Sequence, residues 1–133
     1  MDNISLFNYV TASVLRLLYE NFPNPIMLDT GKLRVEFGIS DEDWHEYRGG
    51  GNSIGSDIRW LGDEGFVRYA SEAGRGTAFA SAVLTAKGLS ALNRSPDVLT
   101  PKPTIGERLK EVGKTAATET ITSLVKAALG VSG

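Results

Sequence analysis

Acid–base, nucleophilic or metal chemistry needs side chains that tune or complement one another, and few such groups are available in this chain. There is no cysteine and a single histidine, His45. Disulfides and thiolate metal sites are thereby excluded, and one imidazole alone makes neither a zinc site nor a Ser-His-Asp triad. The densest acidic run, Asp41-Glu42-Asp43, stands after Ser40 and before His45 and Glu46. Ser40 with Asp43 three residues on is an N-cap pattern, and carboxylates are favoured in a first helical turn, so the run reads as a solvated helix start. Gly113-Lys114-Thr115 has the end of a phosphate-binding loop, but the glycine required five residues earlier is Arg108. The glycines at 49, 50, 51 and 55 fail the dinucleotide-binding spacing because position 54 is Ile. No enzyme, metal or cofactor is expected. What remains is recognition chemistry: Asn52, Ser53, Ser56, Arg59, Arg68 and Arg75, with Trp60 and Asp63 among them.

These residues need elements to hold them. Gly49-Gly50-Gly51 breaks the chain, Asn52 or Ser53 caps a helix running to about Glu64, and Gly65 ends it in the manner of a left-handed C-cap. Ile54, Ile58 and Leu61 share its inward face; Asn52, Ser56, Arg59, Trp60 and Asp63 lie opposite. Strands are expected over 66–70 and 78–84, joined by a Gly74-Arg75-Gly76 tip that supplies positive φ. Thr85 then caps a helix through Leu89 and Leu92. Upstream, Phe7, Val10, Val14, Leu17 and Leu18 mark one face of a helix over 4–22, widened by Leu15, Tyr19 and Phe22 and stopped by Pro23 and Pro25. So broadly apolar a helix is expected to be buried. Residues 25–28 read as a short edge strand. Asp29 or Thr30 caps a second helix to Gly38, where Gly38-Ile39-Ser40 has the look of a tight turn, and Trp44 and Tyr47 pack inward from the piece that follows.

Prolines 96, 101 and 103 mark a linker over 95–103, which divides a domain over 1–94 from a tail over 104–130. The tail reads as one long amphipathic helix. Ile105, Leu109, Val112 and Ala116 step by three and four, and Ile121, Leu124, Val125 and Ala128 continue after a shift. An isolated helix of this kind is marginal in water and wants a partner. Gly106, Gly113, Ala117 and Ala127 allow close approach, so the first expectation is that the tail joins copies of the chain, ahead of docking on its own domain or on a lipid surface. It carries no aromatic residue, which speaks against lipid.

Charge is uneven. Residues 1–100 carry 9 basic against 13 acidic side chains, a balance of −4, and residues 101–133 carry 5 against 3, a balance of +2. An acidic globular part is a handicap for nucleic-acid binding, which draws on neutralised phosphates. An apolar fraction of 41% is adequate for one core. There is no run of about 18 apolar residues to span a membrane, and no basic-then-apolar leader, so a cytoplasmic address is expected.

Two stretches resemble the winged helix-turn-helix superfamily, in the broad group of MarR-like and PadR-like bacterial regulators and small prophage proteins. Ile58-Arg59-Trp60-Leu61-Gly62-Asp63-Glu64-Gly65-Phe66-Val67 is similar to the way into a wing, and Leu84-Thr85-Ala86-Lys87-Gly88-Leu89 to the way out. The fold class implied is mainly α with a small β-hairpin wing (α+β), followed by the proline linker and C-terminal helix. The resemblance further implies DNA recognition, with Asn52, Ser53, Ser56 and Arg59 facing bases and Arg75, supported by Arg68, contacting the backbone. Two departures favour a protein contact instead. A separate helical piece and three glycines intervene after the turn at 38–40, and the outward helix face carries Trp60 and Asp63. The expectations are therefore a transcription-regulator-like or architectural DNA binder that self-associates through its tail, or a non-enzymatic protein-interaction module assembled in the same way.

Overall fold

The computed structural model describes residues 3–37, 54–74, 76–95, 102–112 and 118–130, the side chains at 36, 37 and 118 excepted. The tight turn expected at 38–40, the acidic run, His45, Trp44, Tyr47 and the three glycines at 49–51 lie outside the described residues.

Helix α1 (Asn3–Asn21) is the axis of the molecule. Leu6, Val10, Val14, Leu15 and Leu18 are at most 2% exposed, as a broadly apolar helix demands. Its more polar flank is buried too, through Asn8, Thr11, Ala12 and Ser13, because other helices cover that side. Asn21 Nδ2 donates to Leu17 O at 2.8 Å where the helix closes. Strand β1 (Ile26–Asp29) follows, and Asp29 Oδ1 accepts from the backbone of Gly31 (2.9 Å) and Lys32 (3.2 Å) to cap α2 (Thr30–Phe37).

Helix α3 (Ile54–Asp63) buries Ile54, Ile58 and Leu61, and it ends as Gly65 takes φ +83°. Gly65 N donates to Gly62 O at 3.0 Å and Phe66 N to Leu61 O at 2.9 Å, the paired bonds of a Schellman stop. The strand expected over 66–70 is two short ones, β2 (Val67–Arg68) and β3 (Ser71–Ala73). Both pair antiparallel with β4 (Ala78–Leu84), whose other edge takes β1. Ala70 N donates to Ala80 O at 2.9 Å, so the chain keeps beside β4 across the break. Between Phe79 and Ala82, β4 holds one residue more than β1, and Ser81 takes φ +55° there. This bulge resets the alternation, so Phe79, Ala82 and Leu84 all reach the main core.

Helix α4 (Ala86–Asn93) is bound tightly to the end of α3. The Thr85 hydroxyl lies 2.5 Å from Gly65 O and accepts from Gly88 N at 3.0 Å, while Thr85 N donates to Phe66 O at 3.1 Å. Lys87 Nζ donates to Glu64 O at 2.7 Å and lies 4.4 Å from the Phe66 ring centroid. A Cβ at position 88 would stand 2.0 Å from Phe66 O, so only glycine lets the helix come this near. The Leu-Thr-x-Lys-Gly stretch is thus a structural clasp.

The C-terminal part corrects the sequence expectation. In place of one helix over 104–130 there are two, α5 (Ile105–Glu111) and α6 (Thr118–Leu129). Thr104 and Glu107 form a reciprocal capping box at the start of α5, and Val112 leaves helical geometry with ψ 74°. Both helices pack on α1, on α4 and on each other. Ile105, Leu109, Ile121, Leu124, Val125 and Ala128, expected to join copies, are at most 6% exposed inside the chain's own core; Val112 packs against that core and Ala116 lies outside the described residues. The physical reason is α1: its small and polar flank offers a groove, where Asn8 Nδ2 meets Thr122 Oγ1 at 3.4 Å and Gly106 sits against the Tyr19 ring. The ends of the expected linker also touch, with Ile105 N donating to Arg94 O at 2.8 Å. One hydrophobic cluster takes in residues from both sides of that stretch. The described elements are mainly helical with a small antiparallel sheet of four strands. No helix among them is long and apolar enough to cross a membrane.

Candidate interaction face on the third helix and its hairpin

Of the six residues expected to meet DNA, Asn52, Ser53 and Arg75 lie outside the described residues. The other three are described. Ser56 is half-buried near the start of α3. Arg59 turns toward the hairpin, where its Nε and Nη2 both reach Glu72 Oε1, at 2.9 and 2.8 Å. Arg68 is exposed on β2 opposite Val83, one residue along from the core pair Val67 and Leu84. Residues paired across strands share a face, so Arg68 stands with Val83, on the side of the ribbon away from Val67 and Leu84. Glu72 is paired with the fully buried Phe79 and lies on the other face, toward α3. The two arginines therefore occupy opposite sides of the sheet.

The Arg59–Glu72 pair is local electrostatics at an exposed site. The hydrogen bond to Arg59 holds the Glu72 carboxyl below the usual glutamate range, and the same bond raises Arg59 above its ordinary value. Exposed ion pairs add little to stability, so what this pair fixes is position. The hairpin tip is drawn in with it. A Cβ at Gly55 would fall 2.3 Å from Gly76 O, and one at Gly76 would fall 2.4 Å from Arg59 Nη2. Tyr69 fills the space between, edge-on to Phe79 at 4.8 Å, with Gly62 beside its ring. Burial raises the Tyr69 phenol, followed by the negative charges of Glu72 and Asp63, against which Arg59 acts.

The residues expected at a protein contact come out differently. Trp60 remains 41% exposed although its ring meets Phe7 of α1 edge-on, 5.2 Å between centroids and 89° between planes. Packing on the first helix therefore accounts for only part of the ring. Asp63 is exposed one turn further along α3. Ile4, 63% exposed, lies three residues before Phe7 on the same flank of α1 and extends the apolar strip. Sequence reasoning assigned Phe7 to the buried face and overlooked Ile4; their spacing of three was the available signal. Nothing local pointed to Glu72, since its pairing with Arg59 depends on the hairpin folding back over α3.

Among the described residues no group of three or more His, Cys, Asp or Glu side chains could hold a metal ion. Compared with protein-family models, curated proteins and solved structures, the chain matches none.

Proposed function

We propose that this chain is a winged-helix, non-enzymatic interaction module that recognises a protein partner through the outward face of α3. The observation that carries the reading is Trp60, a large aromatic left two-fifths open against Phe7, with Ile4 one turn before Phe7 on α1 and Asp63 one turn further along α3. Tryptophan held rigidly at the edge of an apolar strip is the kind of side chain that anchors protein contacts. The winged-helix architecture is supported by the order of helix, hairpin and helix, with β1 completing the sheet on the far edge of β4. The tail is not part of the proposed contact, because its described apolar residues already serve the chain's own core.

The test is co-purification of tagged chain from its native cells, in three forms. A stoichiometric protein should accompany the wild type and be lost with Trp60→Ala and with Asp63→Lys, both variants keeping the wild-type melting temperature. Retention of the same protein by both variants would overturn the reading.

DNA binding is the second reading, and one observation favours it. Gly76, the neighbour in sequence of Arg75, abuts Gly55 at the start of α3, so hairpin tip and helix form one unit of the kind that grips a groove. On this reading the chain binds mixed duplex DNA with affinity that falls steeply with salt and weakens in Arg75→Ala or Arg59→Ala. Absence of binding at low salt removes it.

A further inference from the structure

We infer that Glu72 stands in for a nucleic-acid phosphate on Arg59 and thereby decides which class of partner the α3–hairpin face accepts. The inference rests on the protein-recognition reading and deepens it by naming the residue that withholds the face from DNA. The geometry is that of an occupied anion site. Two donors on one edge of the guanidinium, Nε and Nη2, converge on a single carboxylate oxygen at 2.9 and 2.8 Å. Arginine offers that same edge to phosphate, where its two donors can take two oxygens. The guanidinium lies in the notch between α3 and the hairpin tip, and Gly76 leaves room for it where a Cβ would clash with Nη2.

The strand pairing of Glu72 with the buried Phe79 sets its register and its face, and Tyr69 packs edge-on against that same Phe79. A phosphate approaching Arg59 must displace a carboxylate already in contact, with Asp63 contributing further negative charge nearby. Arg68, on the other face of the ribbon, cannot take its place.

The experiment is a salt series of binding to fluorescent mixed-sequence duplex DNA by the full chain, comparing wild type, Glu72→Gln, and Glu72→Gln combined with Arg59→Gln. Thermal unfolding confirms that each is folded, with Glu72→Ser as a second variant should Glu72→Gln melt early. The expected result is weak binding by wild type and about tenfold tighter binding by Glu72→Gln at low salt, with the slope of log affinity against log salt steeper by about 0.9, the signature of one added phosphate contact. Both gains should vanish in the double variant. Unchanged binding by Glu72→Gln overturns the inference. So does a gain that survives Arg59→Gln, since it would then not pass through Arg59, and so does an equal gain in Glu20→Gln, which adds the same net charge on exposed α1 away from the pair. Strong binding by wild type would sink the protein-recognition reading instead, and the ratio of Glu72→Gln to wild type would still decide the role of Glu72.

Discussion

Two joints hold this chain together, and they are built on different principles although α4 closes both. At the first, α3 turns into the hairpin and α4 packs on the turn; Lys87 Nζ caps the end of α3 through Glu64 O at 2.7 Å. At the second, α5 and α6 cover the flank of α1; Arg94 Nη2 caps the end of α6 through Ala127 O at 3.0 Å and Ala128 O at 3.2 Å. In each case a cation from α4 meets the negative end of another helix. The first joint is made by residues close in sequence, backbone against backbone, with glycine at the contact. The second is made by side chains far apart in the chain, such as Asn8 and Thr122, and draws on apolar burial. A local joint depends on backbone clearance, whereas a remote one depends on area removed from water.

The largest expected effect follows from the second joint. Ending the chain at residue 103 removes Ala128 and five larger apolar side chains, Ile105, Leu109, Ile121, Leu124 and Val125, from the core, the five contributing about 1.5–3 kcal/mol each when fully buried. Set against a net stability of about 5–15 kcal/mol for a domain, that loss should abolish cooperative thermal unfolding as followed by near-ultraviolet circular dichroism. A truncated chain that melts cooperatively at the wild-type temperature would make the C-terminal helices an appendage and end the comparison. Next in size is a matched pair of glycine substitutions. Gly88→Ala drives a methyl into the Phe66 carbonyl, which is fixed by its own hydrogen bonds, and should cost about 3 kcal/mol in denaturant unfolding. Gly106→Ala meets the far end of the Tyr19 ring, which is able to swing away, and should cost about 1 kcal/mol. Equal costs would erase the distinction between the two joints.

The same distinction explains what the sequence made legible. The first joint could be read almost residue by residue: Gly65 as a left-handed stop, Thr85 as an N-cap, β4 over Ala78–Leu84, and a glycine-rich hairpin tip all follow from local chemistry. Asp29 as a cap and Ile26–Leu28 as an edge strand are legible for the same reason. The docking of α5 and α6 was not. Asn8, Thr11 and Ser13 look like solvent-facing residues, and nothing local marks them as the floor of a helix groove. The break after Glu111 was hidden as well, since Ile105, Leu109 and Val112 keep helical spacing up to it. At the candidate face, helical periodicity alone sets Trp60 and Asp63 on the outward side of α3, and both are exposed there. The commitment of Arg59 to Glu72, thirteen residues on, required the path of the hairpin.

Smaller effects sharpen the comparison by separating the two caps. Arg94→Ala and Lys87→Ala should each cost about 0.5–1 kcal/mol, the usual range for a cation at a helix end. Their locations should differ. Amide hydrogen exchange is expected to quicken in the last turn of α6 for Arg94→Ala, and around Glu64 to Phe66 for Lys87→Ala, with little exchange of effect between the two. Faster exchange at both ends in either variant would mean that α4 couples the joints as one unit.

The smallest effect concerns the charge at the start of α5. Glu107 accepts from Thr104 N at 3.2 Å and from the Thr104 hydroxyl at 3.1 Å, and those bonds, the backbone one foremost, hold its carboxyl below the ordinary glutamate value of 4.5. A carboxyl lowered in the folded state adds stability that is present above its unfolded value and lost as pH falls through the folded one. Glu107→Gln keeps an acceptor for the capping box but removes the charge. The variant should therefore melt slightly below wild type at about pH 7, and the gap should close as pH drops below about 4, where the wild-type carboxylate takes up its proton. The bond lies on the remote joint, so the loss should appear as faster exchange at the start of α5 while the Arg59–Glu72 contact on α3 is left unchanged. A gap of the same size at pH 3 and pH 7 would show that shape, and not charge, is what Glu107 contributes at the helix start.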